Sequence, residues 1–315
     1  MAVYTHISGK ELTQHLSRFG IGTLVSFTGI TEGIDNTNYR LMTTQGTFIL
    51  TLFEKRVKEE DLPFYISFME YLHDKGIPCP GVILDKTGSG ISRCHEKPAV
   101  ITTFLEGRWP RRPKNFHAAA VGETLARMHR AGKGFKLKRD NTLSLPAWRS
   151  LINNCGDRAD DLEAGLFSFL QKELQYQEER WPRGLPAGAV HADLFPDNVF
   201  FTGEKLTGVI DFYFSCTDAF AYDLMLTLNA WCCSASGKMD GQKKSELLGA
   251  YQKERPLAAP ELGALNFFGR AAALRIIATR LYDWLHPAPG AVVKLKDPLE
   301  YVRILRFYQS GNFTP

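Results

Sequence analysis

The chain of 315 residues has no long hydrophobic run. Apolar stretches such as the one from Phe48 to Phe53 fall far short of the roughly 20 residues that a membrane helix needs. The opening residues, Met1-Ala-Val-Tyr-Thr-His6, lack a basic segment followed by an apolar one. Neither a membrane span nor a signal peptide is expected. Cysteine is sparse. Cys79, Cys94, Cys155, Cys216, Cys232 and Cys233 show no C-x-x-C spacing, which fits reduced thiols in a cytoplasmic protein better than a disulfide framework. No thiolate or histidine pair has the spacing of a zinc site. Charge of one sign is scarce as well: 38 Lys and Arg face 34 Asp and Glu, a net charge of +4. That is too small to argue for nucleic acid, which usually implies a concentrated basic face, and it leaves an anionic small molecule open. There is no G-x-x-x-x-G-K-[ST], so the phosphate loop of P-loop nucleotide-binding proteins is absent. No repeat, low-complexity tract or long linker is seen.

What is present is an ordinary globular composition, 44% hydrophobic and 23% charged. A chain this long buries roughly 75% of its extended surface, enough for two domains or one large bilobal one. The first hundred residues read as strands with one helix. Val25 to Thr28, Asn38 to Thr43 and Thr47 to Phe53 are predicted strands. In the last, Phe48, Leu50 and Leu52 alternate with Ile49, Thr51 and Phe53, and the Gln45-Gly46 turn before it predicts a hairpin. Asp61 to Lys75 is predicted helical from Phe64, Phe68 and Leu72, with a stop at Gly76. Val82 to Leu84 and Ala99 to Phe104 are predicted as two further strands. Beyond Glu106-Gly107 helix dominates: His117 to Ala131, Asp160 to Trp181, and a long run from Pro260 to Leu285. Short extended segments interrupt it between Gly188 and Phe214. The expected fold class is α+β and bilobal, with a small sheet lobe over 1–104 and a larger helical lobe over 105–315. The hinge is expected near 103–107, and ligands tend to bind in such clefts.

The segment richest in chemistry is His191-Ala-Asp-Leu-Phe-Pro-Asp-Asn198, followed thirteen residues later by Asp211 at the end of a short apolar strand. The spacing H-x-D-x-x-x-x-N and then Asp matches the catalytic loop and metal-binding Asp of kinase-like phosphotransferases. A hydroxyl attacking a γ-phosphoryl group needs an acceptor for its proton, and Asp193 is the candidate. Mg²⁺ prefers oxygen ligands, which Asn198 and Asp211 can supply from two separate turns. His191 would brace the loop. An isolated Asp-x-x-x-x-Asn is usually turn chemistry; here four positions agree in order. Ala192 stands where protein kinases commonly carry an Arg that pairs with a phosphorylated activation loop, so that switch is not expected. Tyr213 stands where they carry Gly. Both departures lean toward small-molecule kinases. The segment from Gly29 to Asn38, with Gly33 and Asn36, would cover the nucleotide phosphates through backbone N–H groups, although a hairpin turn explains it equally well.

Gly33-Ile-Asp-Asn-Thr-Asn-Tyr39, Phe48-Ile-Leu-Thr-Leu-Phe-Glu54, His191-Ala-Asp-Leu-Phe-Pro-Asp-Asn198, Ile210-Asp-Phe-Tyr213, Tyr222-Asp-Leu224 and Asn229-Ala-Trp-Cys232 together resemble the bacterial homoserine kinases of the aminoglycoside-phosphotransferase-like, protein-kinase-like superfamily. The resemblance runs over nearly the whole chain. It implies ATP and Mg²⁺ as cofactors and transfer of the γ-phosphoryl group to the side-chain hydroxyl of L-homoserine, in threonine biosynthesis. Aligned on the superfamily, Thr51 falls where a phosphate-pairing Lys would sit and Ile49 at the adenine roof. Backbone groups around Thr103, Phe104 and Leu105 would meet adenine. The helix partner of the missing Lys is also absent, and loss of both is coherent because an unpaired buried charge is costly. Arg40, Lys55 and Arg56 are the nearby cations.

A zwitterionic substrate calls for a cation and a carboxylate. The last long helix offers Arg270, Arg275, Arg280 and Asp283, with Arg280 and Asp283 on one face. Asp223 would either hydrogen-bond the catalytic loop or cap a helix. The basic run Arg108-Trp-Pro-Arg-Arg-Pro-Lys114 reads as a solvated loop. Other readings are a kinase of the same fold acting on an aminoglycoside, choline or methylthioribose, or a nucleotide-binding pseudokinase. The excess of Arg and Lys after Pro260 disfavours the cationic substrates, and the intact Asp193, Asn198 and Asp211 disfavour the pseudokinase. Nothing in the sequence specifies an oligomeric state.

Overall fold

The computed structural model describes residues 5–31, 36–54, 57–287 and 295–315. The chain divides into two compact units. The first gathers residues up to Arg108 together with Phe200–Thr202 and Thr207–Tyr213; the second holds the rest. No described helix is long and apolar enough to cross a membrane.

The first unit begins with helix α1 (Gly9–Leu16), absent from the sequence reading. A capping box starts it: the Ser8 side chain takes the Glu11 N–H and Glu11 returns to the Ser8 N–H. Strands β1 (Leu24–Gly29), β2 (Thr37–Thr43) and β3 (Gly46–Leu52) follow, then helix α2 (Leu62–Asp74) and strands β4 (Ser92–Cys94) and β5 (Lys97–Thr103). They form an antiparallel sheet in the order β1-β2-β3-β5-β4. Phe48, Leu50 and Leu52 face the core with Leu41, Leu12, Leu16 and Ile101, as the alternation predicts. Fully burying one such side chain contributes roughly 1.5–3 kcal/mol. The predicted strand from Val82 to Leu84 is not a sheet strand. Val82 makes one bridge to Thr102, and the edge position beside β5 goes to β4. Pro78 and Pro80 bracket the approach to this segment, and a residue without an N–H cannot build a full ladder. Helix α2 starts with Pro63 in its first turn, buries Phe64, Tyr65, Phe68, Met69 and Leu72, and ends before Gly76 at φ +73.

The second unit contains α3 (Asn115–Gly132), α4 (Leu145–Cys155), α5 (Leu166–Arg180) and strand β6 (Ala187–Val190). Next come β7 (Val199–Thr202) and β8 (Lys205–Val209), a two-stranded ribbon whose residues 200–202 and 207–209 cluster with the first unit. Strand β9 (Cys216–Ala219) and helices α6 (Phe220–Cys232), α7 (Gly241–Glu254), α8 (Ala259–Leu285) and α9 (Leu299–Gln309) complete it. The single helix predicted from Asp160 to Trp181 is two elements. A 3₁₀ turn covers Gly156–Asp161, and Gly165 in the left-handed region at φ +78 precedes α5. Helix α8 spans 27 residues and buries side chains around most of its circumference, which marks it as the central helix of the unit. Phe267 and Phe268 of this helix meet edge to face, Phe268 does the same with Trp181 and Tyr222, and Trp181 packs at a tilt against Trp148 and Tyr222. Strands β6 and β9 pair antiparallel, with Val190 opposite Cys216, and so carry the chain into the segment 191–198.

Candidate active site

In the second unit the loop after β6 is built around Asp193. Its N–H donates to Nδ1 of the fully buried His191 at 3.2 Å. His191 therefore accepts at Nδ1, and its ring braces the turn. The short 3₁₀ turn Pro196–Asn198 brings Asn198 back over the loop. There its Nδ2 donates to the Asp193 carbonyl at 2.9 Å and to Asp193 Oδ2 at 3.2 Å. This fixes the amide orientation and leaves Oδ1 of Asn198 as the atom offered to a ligand. A carbonyl oxygen suits a hard cation such as Mg²⁺. The Asp193 side chain keeps 19% exposure, so a substrate can reach it. Trp231 Nε1 ties down the next carbonyl, that of Leu194, at 2.8 Å.

Ala192 has φ +61, a left-handed conformation that a residue with a Cβ rarely adopts. Its N–H donates to Asp223 Oδ1 at 2.9 Å, and the His191 N–H donates to Asp223 Oδ2 at 3.2 Å. Asp223 lies inside α6, beyond the capping position, and is wholly buried. Of the two roles foreseen for it, the structure has the loop hydrogen bond. Both of its oxygens are engaged there, so it does not face substrate. Beneath it sits His129 of α3, whose Nε2 lies 2.9 Å from Asp223 Oδ2 and whose Nδ1 lies 2.7 Å from the Tyr251 hydroxyl. Arg255 donates to that hydroxyl at 3.1 Å and to Glu261 at 2.8 Å. Burial pushes the His129 pKa down, so the neutral ring donates Nε2–H to the carboxylate and accepts the tyrosine proton. Burial alone would raise the Asp223 pKa, but the hydrogen bonds from His129 and the Ala192 amide outweigh it and lower it.

The predicted substrate arginines of α8 divide three ways. Arg270 is bound to the buried Glu173 by two bonds of 2.9 and 2.5 Å, an internal tie between α5 and α8. Arg275 reaches the loop after β6, with Nη1 on the Ala192 carbonyl and Nη2 3.5 Å from Asp193 Oδ1. Arg280 binds Glu300 at 2.5 Å and the Asp297 carbonyl at 3.1 Å. Asp283 lies one turn further along the same helix.

In the first unit, Asp211 follows β8 at φ +65. The next residue, Phe212, is buried edge-on against Phe68 at 6.1 Å. Tyr213 packs edge-on to Phe53 at 5.0 Å and to Tyr65 at 6.0 Å. Its hydroxyl hydrogen-bonds Thr51, and burial together with the Asp211 charge raises its pKa. Thr51 donates to Asn38 Oδ1 at 2.7 Å. Asn38, Thr51 and Tyr213 thus form a neutral hydrogen-bonded chain. Asn36 accepts the Glu54 N–H at 3.3 Å. Gly29 ends β1 opposite Tyr39. Ile49 is half-buried on β3 between Arg40 and Thr102. Thr103 pairs with Gly81 through its backbone and hydroxyl, both at 2.9 Å. Phe104 is exposed under the Arg40 guanidinium at 4.8 Å, and Leu105 packs beside Gly208. Gly33, Lys55 and Arg56 lie outside the described residues. Among the described residues no group of three or more His, Cys, Asp or Glu side chains is gathered to hold a metal. The oxygen donors offered by Asn198 and Asp211 nevertheless suit Mg²⁺ chemically.

His129, Tyr251, Arg255 and Glu261 escaped the sequence reading. They lie 94 positions and more from their partners, except for the Arg255–Glu261 and Arg255–Tyr251 pairs, and no local spacing signals such bonds.

A five-stranded sheet unit, a helical unit and a braced H-x-D-x-x-x-x-N loop define a kinase-like phosphotransferase, and the phosphotransferase enzyme family matches residues 26–257. The chain belongs to that family. It is 51% identical over 311 residues to homoserine kinase of Rhodopseudomonas palustris, covering 98% of this chain and 95% of that protein. It is 50% identical over 310 residues to homoserine kinase of a Bradyrhizobium species, covering 98% and 96%. Among solved structures, amicoumacin kinase in complex with AMP-PNP, Ca²⁺ and Ami shares the fold with a TM-score of 0.69 at 15% identity, covering 96% of this chain and 93% of that one. Spectinomycin phosphotransferase with ADP and spectinomycin does so at 0.67 and 15%, covering 96% and 94%.

Proposed function

We propose that this chain is a homoserine kinase, transferring the γ-phosphoryl group of ATP to the side-chain hydroxyl of L-homoserine to give O-phospho-L-homoserine and ADP. One observation carries the reading: an Asp193 carboxylate oriented by Asn198 and open to solvent, in a chain half identical to homoserine kinases along almost its full length. In the reaction the substrate oxygen forms a bond to phosphorus, the bond from phosphorus to the ADP oxygen breaks, and the hydroxyl proton passes to Asp193. Such positioned proton acceptance contributes about 10²–10⁴-fold. His191 holds the loop in register for that step. Asn198 Oδ1 and the Asp211 carboxylate would each offer Mg²⁺ an oxygen ligand. The ion, when bound, neutralises charge on the transferring phosphoryl group.

Residues 1–104 form the nucleotide-binding part in this reading and residues 105–315 the catalytic and substrate part. Gly29, Gly33, Asn36 and Asn38 cover the phosphates, Ile49 and Thr51 line the nucleotide, and the backbone at Thr103, Phe104 and Leu105 meets adenine. Arg280 and Asp283 are the residues offered to the substrate's carboxylate and ammonium. A cytoplasmic location fits the reading.

The test is ADP release by the purified protein with Mg·ATP and L-homoserine, beside L-serine, L-threonine, choline and kanamycin. Selective turnover of homoserine, abolished in D193N with nucleotide binding kept, is the expected result. Turnover that survives in D193N removes Asp193 as the base, and selectivity for another alcohol removes homoserine as the substrate.

A further inference from the structure

Arg275 is a buried cation, its side chain 3% exposed, and both its polar partners belong to the catalytic loop. One Nη donates to the Ala192 carbonyl and the other faces Asp193 Oδ1 at 3.5 Å. The Phe214 ring covers the guanidinium at 5.5 Å, and Nε is buried without a hydrogen-bond partner among the described residues. The peptide that Arg275 grips is the unusual one. Ala192 is left-handed, and such a conformation persists only where its surroundings over-determine it. Here two opposite buried charges do so. Asp223 of α6 takes the Ala192 N–H, and Arg275 of α8 takes the carbonyl. The residue before the catalytic carboxylate is therefore clamped at both of its polar groups, and the second cationic arm of one clamp also faces that carboxylate.

We propose that Arg275 is a positioning residue for phosphoryl transfer. It locks the left-handed Ala192 peptide and holds the Asp193 carboxylate in the orientation that accepts the substrate proton. The inference rests on the reading of Asp193 as the base. It reassigns Arg275 away from the substrate's carboxylate, for which the burial leaves no open face: bidentate carboxylate recognition needs two accessible N–H groups in one plane. Arginine is required because its planar fork serves two acceptors in fixed relation, whereas a lysine ammonium is a single point.

The test is steady-state kinetics of the full chain carrying R275K or R275M, with Mg·ATP and L-homoserine, beside melting curves and nucleotide binding. In R275M kcat falls about 100-fold, the scale of a misplaced reacting group, while KM for homoserine and for ATP stays near the wild-type value. R275K, which keeps the charge and the carbonyl bond but cannot also face Asp193, shows a smaller loss of the same kind. An R275K enzyme with wild-type kcat overturns the proposal. So does a rise of about tenfold in KM for homoserine with kcat retained, the signature of lost uniform binding. If R275M does not fold, R275K decides. If the wild type turns over a different alcohol, the homoserine reading falls, and the same kcat loss measured on that alcohol sustains the role of Arg275.

Discussion

Asp223→Asn changes one buried oxygen into an NH₂ with almost no change in volume, and so isolates what the charge does. The wild-type carboxylate accepts from the His191 N–H, the Ala192 N–H and His129 Nε2. Asparagine has one oxygen and can serve one of the two backbone donors. His129 can move its proton to Nδ1 and accept from the new NH₂, because Tyr251 can still hydrogen-bond it. One backbone N–H is then stranded in a fully buried place, at about 1–3 kcal/mol. The bond that remains loses its charge assistance, about 1 kcal/mol more. The expected loss is about 2–4 kcal/mol, overlapping the lower end of the roughly 3–5 kcal/mol of a buried ion pair with one partner deleted. At about 2–4 °C per kcal/mol for units of this size, Tm drops by about 4–16 °C. The loop that carries Asp193 loses its anchor in the same step, so kcat falls by about 100-fold. Circular dichroism melts and ADP-release kinetics on D223N measure both. A variant that melts within about 2 °C of wild type and retains kcat would refute the reasoning, because the carboxylate would then not be holding the donors drawn to it.

Gly132 ends α3 where an added Cβ would lie 2.1 Å from the Ala189 carbonyl oxygen of β6. G132A therefore costs about 3 kcal/mol or more despite the better helix propensity of alanine, whereas G263A, with nothing within 4 Å of its Cβ, gains about 0.5–1 kcal/mol; urea unfolding of the pair measures the contrast. Asp85 accepts from the Thr87 hydroxyl, the Ser89 and Thr87 N–H groups and Arg18, and its pKa falls from 3.8 to about 2. A depressed carboxyl contributes stability above its unfolded pKa and loses it as pH falls through the folded one, so acid titration of Tm is steeper in wild type than in D85N between pH 3.8 and about 2. Removing divalent metal with EDTA abolishes ADP release and excess Mg²⁺ restores it, if Asn198 and Asp211 hold the ion as proposed; turnover in metal-free buffer speaks against it.

The parts of the fold legible in sequence were those encoded locally. The period-two pattern of Phe48, Leu50 and Leu52 and the helical spacing of Phe64, Phe68 and Leu72 predict β3 and α2 because each face meets one environment. Helix α1 carried a readable signal, the Ser8-x-x-Glu11 box, but at 8 residues it is shorter than hydrophobic periodicity can mark. Strand β4 has three residues, too few for any pattern. The break at Gly165 depends on a left-handed turn that a single glycine inside a helical run leaves ambiguous. The H-x-D-x-x-x-x-N spacing was visible because one loop holds His191, Asp193 and Asn198 together. Arg275 was visible only as one of several cations on a helix. Its meeting with Ala192, 83 positions away, depends on the packing of α8 beneath the loop, which no local spacing encodes.

The ribbon of β7 and β8 gives the first unit a discontinuous sequence. Phe200–Thr202 and Thr207–Tyr213 are among its members, Val209 N–H donates to the Pro78 carbonyl at 2.7 Å, and Arg108 and Phe201 exchange backbone bonds of 3.0 and 2.9 Å. During synthesis this unit cannot be completed when its sheet has emerged, but only after Tyr213 has left the ribosome. At roughly 5–20 residues per second, the sheet waits about 5–20 seconds with the Pro78 and Arg108 backbone groups unmet. A fragment cut after residue 108 would remain in that unfinished state, and supplying the ribbon as a separate peptide would be the way to close it.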